Sequence, residues 1–287
     1  MAAVKVVSGS ASVSLAKELA RILAADLLVA EVRAFADGEL HVRVPEGLSG
    51  EEVALVQTTY PNEKLLELFL LQDAVEDAAP ARVSVVVPYF GYGRQDKQFH
   101  PGEAVSSRAV AKRLEVGADA LLTVDVHNER VMDYFDIPAL NITGMPALAR
   151  RFKEMEVEMV LAPDENAARH AETVGDLIDL PWDYLKKERL DSWTVKTEGK
   201  ALAVKDRKVA IVDDMVSTGG TMVSAARIVQ EQGSRGVVAG CVHGLFVGGA
   251  RERLKAFDEV VATDTVSSDY SAVSVAPEVA EGLKRMG

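Results

Sequence analysis

Cysteine is almost absent from this chain: Cys241, in the apolar run GVVAGCVHG, is the single one among 287 residues. A disulfide framework is therefore excluded, and we expect a buried thiol. No apolar stretch reaches the roughly 18 residues that span a bilayer. The apolar part of the opening MAAVKVVSGSAS is too short for a signal peptide. The sequence predicts a soluble, cytoplasmic protein with no membrane partner.

Basic residues are outnumbered, with 32 Lys and Arg against 44 Asp and Glu, which gives a formal net charge of −12. This balance argues against general binding to nucleic acid, because a polyanion needs an extended basic surface. Small anionic ligands remain compatible with it where cations are concentrated locally. The 48% of hydrophobic residues is enough for a sizeable core and excludes disorder.

Short β-branched runs alternate with helical patterns along the chain, which is typical of parallel sheets covered by helices. We predict an α/β protein of two tandem domains, residues 1–142 and 143–287, meeting near 140–147. A hairpin is expected at 32–44. The predicted strands are 4–7, 53–57, 83–87, 120–124, 159–162, 209–212, 237–242 and 260–262, and the predicted helices are 14–25, 65–75, 106–115 and 222–232.

Aspartates follow three of these strands: Asp125, Asp164 and Asp213. Ligands of parallel α/β sheets bind at the carboxyl ends of the strands, so these positions are candidate site residues.

The stretch VDDMVSTGGT joins two acids to a loop of hydroxyls and glycines that precedes a helix. Glycines let backbone N–H groups approach a ligand, and the helix N-terminus favours an anion. Asp213 and Asp214 would repel phosphate but suit neutral hydroxyls or a cation. We therefore predict a sugar phosphate, with its diol on the acids and its phosphate on Ser217, Thr218, Gly219, Gly220 and Thr221. The alternative is an ordinary strand–loop–helix turn with two solvated acids.

This stretch resembles the ribose-5-phosphate loop of the type I phosphoribosyltransferase fold. Three further segments are similar to ribose-phosphate diphosphokinases: FADGELHVRV (35–44), PYFGYGRQDK (88–97) and DVHNERVMDYF (125–135). The similarity runs in order over nearly the whole chain. Ser217 stands where many members have aspartate, and QFHPGEAVSS looks closer to the shorter archaeal sequences.

The resemblance implies a reaction: Mg²⁺-dependent transfer of the diphosphoryl group of ATP to the C1 hydroxyl of ribose 5-phosphate, with AMP as the second product. It implies a homo-oligomer, at least a dimer, whose ATP site takes residues from a neighbouring subunit. His127 and Asp164 would belong to the Mg²⁺ site, where Asp164 offers the oxygen ligand that Mg²⁺ prefers and His127 lies on the metal or next to the ATP phosphates. Residues implied for ATP are Phe35, Asp37, Gly38, Glu39, Arg94 and Gln95.

These residues also have structural interpretations. Residues 36–39 could be only a hairpin turn, Arg94 could lie on a basic surface loop, and Asp164 could cap a helix. Histidines such as His170 have no spacing typical of zinc sites. Residues 251–255 suggest a solvated helix face.

The charged segment 184–206 is expected to form a hairpin with a turn at Thr197-Glu198-Gly199-Lys200. On residue type alone, it is a solvated surface hairpin. The family resemblance instead implies a catalytic loop in which Lys187 and Arg189 stabilise the transferred group, Arg189 also reaching the ribose 5-phosphate. Two rival functions stay open: a transferase that consumes phosphoribosyl diphosphate with a base, and an inactive paralogue that regulates the synthetase.

Overall fold

The computed structural model describes residues 4–189, 195–198 and 202–287. The first half contains β1 (Val4–Ser8), α1 (Val13–Leu23), β2 (Asp26–Val29), β3 (Glu31–Ala34), β4 (Leu40–Arg43), β5 (Glu52–Val56), α2 (Asn62–Asp77), β6 (Arg82–Val87), α3 (Ser106–Leu114), β7 (Ala120–Val124) and β8 (Ala139–Ile142). A 3₁₀ helix, Glu129–Tyr134, precedes β8.

The second half follows the same plan. It contains α4 (Met145–Glu154), β9 (Met159–Ala162), α5 (Ala168–Leu177), β10 (Trp182–Tyr184), β11 (Lys186–Arg189), β12 (Val195–Glu198), β13 (Lys208–Val216), α6 (Gly220–Glu231), β14 (Gly236–Gly244), α7 (Ala250–Arg253), β15 (Glu259–Thr263), β16 (Ser271–Val273) and α8 (Ala276–Met286). Short 3₁₀ helices span Glu165–Ala167 and Leu254–Ala256.

Two compact units divide the chain. Unit 1 comprises 1–143, 265–267 and 274–287, and unit 2 comprises 144–264 and 268–273. Helix α8 therefore lies with unit 1, whereas the sequence grouped residues 143–287 in one domain. In unit 1, α8 packs on α1, β7 and β8.

Each unit is built around a six-stranded parallel sheet, and both sheets have the same order relative to the chain. Unit 1 has the order β2-β1-β5-β6-β7-β8, and unit 2 has β10-β9-β13-β14-β15-β16. In each unit an antiparallel pair follows the edge strand, β3 with β4 and β11 with β12. The predicted fold of two tandem, mainly parallel sheets flanked by helices is confirmed.

Apolar side chains of strands and helices form a separate core in each unit. In unit 2, Phe152 of α4 is fully buried. Its ring lies so close to β14 that a Cβ at Gly240 would come 2.3 Å from it. Burying a side chain of this size stabilises the fold by about 1.5–3 kcal/mol.

Several expectations need correction. The short strands β2, β8, β10 and β16 were missed because three or four residues give too little periodicity to recognise. The turn predicted at 197–200 is wrong, because Thr197 and Glu198 lie within β12. Gly199 and Lys200 fall outside the described residues.

Across the part of the chain that the structure describes, no helix combines the length and apolarity needed to cross a membrane.

Candidate active site

Strand β9 lies between β10 and β13 in the sheet of unit 2. After β9 the chain first forms the neighbouring strand on one side, β10, and later the neighbouring strand on the other side, β13. Such a switch of direction opens a crevice at the carboxyl ends of the strands. The described pairing of β13 with β9 ends at Ile211, whereas its pairing with β14 continues to Val216. The crevice of unit 2 therefore begins where β13 runs beyond β9.

Asp213 and Asp214 lie in this extension of β13. The sequence placed them after a strand ending at Val212, so that boundary is corrected: the acids are part of the strand. Both are partly buried. The Asp214 N–H donates to Asp213 Oδ1 at 2.9 Å.

Burial raises the pKa of the Asp213 carboxyl well above its usual range, and the neighbouring charge of Asp214 raises it further. Asp164 contributes in the same direction. The three acids thus act on one another electrostatically, and a hydroxyl donor or cation placed between them would relieve their repulsion. Cys241, the β14 partner of Asp213, is buried as predicted, and burial followed by the Asp213 charge raises its pKa.

Asp164 follows β9 and begins the 3₁₀ helix Glu165–Ala167. Its Oδ1 accepts from the N–H groups of Asn166 at 3.1 Å and Ala167 at 3.3 Å. The capping interpretation of Asp164 is therefore confirmed. Its Mg²⁺ role stays a prediction.

His170 joins this group from α5. One potential ligand atom from each of His170, Asp213 and Asp214 lies within 4.8 Å of the others. The sequence gave no sign of this, because the three residues are brought together only when α5 packs on β9 and β13.

The predicted phosphate loop connects β13 to α6. Gly219 precedes the helix with φ of +77°, a conformation that favours glycine. Along this fully described stretch, no side chain caps the N-terminus of α6 and no acid lies in its first turn. Its first N–H groups therefore suit an anion. Ser217 is partly buried, while Thr218, Gly220 and Thr221 are exposed.

Arg253 supports this loop, although residues 251–255 suggested only a solvated face. Its Nη1 donates to the carbonyl oxygen of Thr218 at 2.8 Å and to that of Gly248 at 2.9 Å. The side chain therefore ties the phosphate loop to the turn that precedes α7. No local pattern in the sequence signals such a long-range contact.

Unit 1 brings two of its predicted site segments together. A Cβ at Gly93 would lie 3.7 Å from the Cβ of His127, so the exposed His127 adjoins the turn that carries Arg94. Asp125, two residues earlier, has φ of +36°, an uncommon conformation for a residue with a side chain.

Arg94 is exposed, and Gln95 is partly buried. The Gln95 side-chain amide donates to the Lys97 carbonyl oxygen at 3.2 Å and to Glu103 at 3.3 Å. Gln95 therefore shapes its own loop in this structure. The roles of both residues toward ATP stay predictions.

The turn between β3 and β4 carries the other residues predicted to bind ATP. The hairpin expected here is present, and the Phe35 N–H donates to the Glu39 carbonyl oxygen at 2.8 Å. Phe35 is 50% exposed and meets the His41 ring edge-to-face, with centroids 5.8 Å apart. Asp37, Gly38 and Glu39 are exposed as well.

Lys187 and Arg189 lie in β11, which pairs with β12 in antiparallel register, Lys187 opposite Thr197. An antiparallel pair is thus present within the segment predicted as a hairpin, although the turn predicted for it at 197–200 is wrong. The connection between its strands, residues 190–194, lies outside the described residues.

Two families match this sequence. Residues 4–117 match the N-terminal domain of ribose phosphate pyrophosphokinase, and residues 131–279 match a phosphoribosyl transferase domain. A ribose-phosphate pyrophosphokinase of Methanopyrus kandleri is 41% identical over 98% of this chain and 99% of its own length. A ribose-phosphate pyrophosphokinase of Saccharolobus solfataricus is 36% identical over 97% of this chain and 99% of its own length.

A solved structure is similar over the whole length. It is the phosphoribosylpyrophosphate synthetase of Mycobacterium smegmatis, with a TM-score of 0.83 and 27% identity over 99% of this chain and 98% of that one.

The raised pKa of Asp213 predicts a stability cost in the ligand-free protein. When folding raises the pKa of a carboxyl, that group favours the folded state below its ordinary pKa. This contribution to the free energy of unfolding is lost as the pH rises through the pKa of the folded state. Asp213→Asn should therefore raise the melting temperature at neutral pH by about 2–4 °C for each ~1 kcal/mol relieved. The gain should shrink as the pH falls below the ordinary Asp pKa of ~3.9, and toward pH ~3 the carboxyl becomes largely protonated in both states.

Thermal melts in chelator across this pH range measure the effect. Asp73→Asn, an exposed site on α2, is the control and should change little. A melting temperature that falls in Asp213→Asn at neutral pH would contradict the electrostatic interpretation.

Proposed function

Because this chain belongs to the ribose-phosphate pyrophosphokinase family, we propose that ATP is its donor and AMP its second product. The anomeric hydroxyl of ribose 5-phosphate attacks the β-phosphorus of ATP in line. The bond from that phosphorus to the oxygen bridging it to the α-phosphorus breaks. The products are 5-phosphoribosyl 1-diphosphate and AMP, as nucleotide biosynthesis requires.

One observation carries the acceptor half of the proposal: a pair of carboxylates beside an uncapped helix N-terminus. Asp213 and Asp214 lie in the same strand that leads into the loop before α6. Carboxylates accept from the adjacent hydroxyls of ribose, and the N–H groups at the start of α6 bind its 5-phosphate. Ser217, Thr218 and Thr221 add hydroxyl donors.

Residues of unit 1 would hold ATP. Arg94 can bind phosphate oxygens with its planar guanidinium, and it adjoins His127 through Gly93. Phe35 offers an exposed aromatic ring for adenine, with the acids Asp37 and Glu39 nearby on the same turn. Such an exposed turn is suited to completing the ATP site of a neighbouring subunit, so we propose at least a dimer.

The acids of unit 2 fit a magnesium ion by their chemistry. Mg²⁺ prefers oxygen ligands, and the mutual repulsion that raises the Asp213 pKa would be offset by a cation. We assign the ion to Asp164, with the acid pair reaching the ribose hydroxyls directly or through it, and we assign His127 to the Mg²⁺ that ATP carries. A bound Mg²⁺ would neutralise charge on the transferring phosphates.

Catalysis would come mainly from positioning and from cations. Lys187 and Arg189 are two positions apart in β11. We assign them to the charge that develops on the transferred diphosphoryl group, with Arg189 also near the sugar phosphate. We assign no residue as general base, and the proton of the attacking hydroxyl leaves to solvent.

The decisive assay supplies ATP, ribose 5-phosphate and Mg²⁺ to the purified protein and measures AMP. We expect AMP and 5-phosphoribosyl 1-diphosphate in equal amounts, and no AMP without the sugar. Consumption of 5-phosphoribosyl 1-diphosphate with a purine or pyrimidine base, without AMP release, would select the rival transferase. Binding of both substrates without turnover would select the inactive paralogue.

Arg253 gives a further prediction. Its removal frees the carbonyl oxygen of Thr218 and loosens the phosphate loop. We expect Arg253→Ala to raise the KM for ribose 5-phosphate about 2–10-fold, the equivalent of one or two hydrogen bonds, while the KM for ATP stays constant.

Lys255→Ala is the matched control, since Lys255 pairs with Glu252 at 2.7 Å. Steady-state kinetics with each substrate varied in turn provide the measurement. Equal effects of the two substitutions would refute the role assigned to Arg253.

Lys187→Ala should lower kcat by roughly 10³–10⁵, the range known for cations in phosphoryl transfer, with little change in ATP affinity. The neighbouring Lys186→Ala is the control. Rapid-quench measurement of AMP formation separates the chemical step from substrate binding. Equal, slight losses in both variants would leave the segment a surface hairpin.

A further inference from the structure

His170 is the one imidazole that the described residues place at the acid pair. The ligand atoms of His170, Asp213 and Asp214 lie within 4.8 Å of one another. His170 is only partly exposed. It is carried by α5, which packs on both β9 and β13 and is anchored just before its start by the cap at Asp164. The imidazole is therefore held at a fixed place beside the carboxylates.

The two carboxylates of the acid pair must be oriented before both can bind one ligand, and an imidazole beside them can hold them in place. Two consecutive residues of a strand point to opposite faces, so two adjacent carboxylates reach one ligand only if their rotamers are fixed. Asp213 is already held by the Asp214 N–H at 2.9 Å. An imidazole always offers at least one N–H donor, whatever its protonation state.

We propose that His170 is a positioning residue for ribose 5-phosphate: its ring nitrogen donates to the acid pair and fixes the carboxylate oxygens that accept the sugar hydroxyls. This inference rests on the proposed function, because it takes the acid pair as the diol site. His170 acts through the aspartates and does not touch the reacting atoms.

A positioning role predicts a specific kinetic pattern. His170→Ala should raise the KM and Kd for ribose 5-phosphate about 10-fold, the loss expected for one charge-assisted hydrogen bond. The KM for ATP and the kcat at saturating sugar should stay near wild type. His170→Gln retains an N–H donor of similar reach, so it should recover most of the affinity.

Glu172→Ala is the control, because Glu172 is exposed on the same helix. Calorimetric titration with ribose 5-phosphate and steady-state kinetics are measured on all four proteins, with thermal melts to check folding. A merely structural role would lower the melting temperature and change both KM values together, and His170→Gln would then be no better than His170→Ala.

The outcomes separate this inference from the proposed function. In one outcome, the wild type releases AMP and His170→Ala binds ribose 5-phosphate normally. This result would overturn the role of His170 and would leave the proposed reaction intact. Weaker sugar binding in His170→Ala, alongside a wild type that releases no AMP, would support His170 and reject the reaction. A wild type that does not bind ribose 5-phosphate would reject both. Recovery of His170→Ala by excess Mn²⁺ would make His170 a metal ligand and overturn positioning.

Discussion

Two consecutive carboxylates at the open end of β13 are the constraint on which the rest of unit 2 depends. Burial raises the pKa of the Asp213 carboxyl, and repulsion by Asp214 raises it further. A fold selected for stability alone would place an apolar or neutral residue here. The strand keeps the acids because they lie where the crevice beside β9 opens, and the surrounding groups compensate. The Asp214 N–H donates to the Asp213 carboxylate, and His170 lies beside the pair.

The same strand order serves a different purpose in unit 1. The chain again departs to both sides of its first strand, β1, and the corresponding crevice lies between β1 and β5. Here the buried carboxylate of Glu67 lies against Ser10, just beyond the end of β1. It accepts from the N–H and hydroxyl of Ser10, each at 2.7 Å, and pairs with Lys64 at 2.8 Å.

The strand ends of unit 1 are closed by the protein as well. Thr59, which follows β5, donates its hydroxyl to the Tyr89 carbonyl oxygen at 3.0 Å and accepts from the Gly91 N–H at 2.7 Å. At its strand ends the first unit thus bonds Glu67 and Thr59 to protein groups, whereas the second places two adjacent carboxylates and an uncapped helix N-terminus there. Repetition of a topology fixes where a site can form, and the strand-end residues decide whether one does.

Local patterns predicted much of this fold. Strands β7 and β9 match the sequence expectation residue for residue, because both are short, fully buried apolar runs. The extension of β13 through Asp213 was missed, since its polar residues break the apolar pattern that marked the strand. The position of α8 depends on packing against elements that are distant in sequence. Hydrophobic periodicity is a local pattern and does not report such contacts.

The candidate site was only partly predictable for the same reason. The acid pair and phosphate loop are contiguous, so their chemistry is visible in ten residues. His170 and Arg253 reach that stretch only through the packing of α5 and the turn before α7. In the sequence, neither residue differs from other polar residues of a helix. Its candidate role becomes visible only from the residues that it contacts in the folded structure. Support residues of this kind are therefore the part of a site that sequence patterns reveal least.

The distribution of charge completes the argument. The chain carries a net charge of −12, and the proposed substrates are anions as well. Binding them therefore demands local positive potential strong enough to overcome long-range repulsion, which falls off beyond about 8–10 Å at physiological salt. In the proposed site, backbone N–H groups at the start of α6 would meet this need, and the first turn of that helix carries no acid. Lys187 and Arg189, to which we assign the charge of the transferred group, belong to the two-stranded pair β11–β12 and not to the six-stranded sheet that carries the acids.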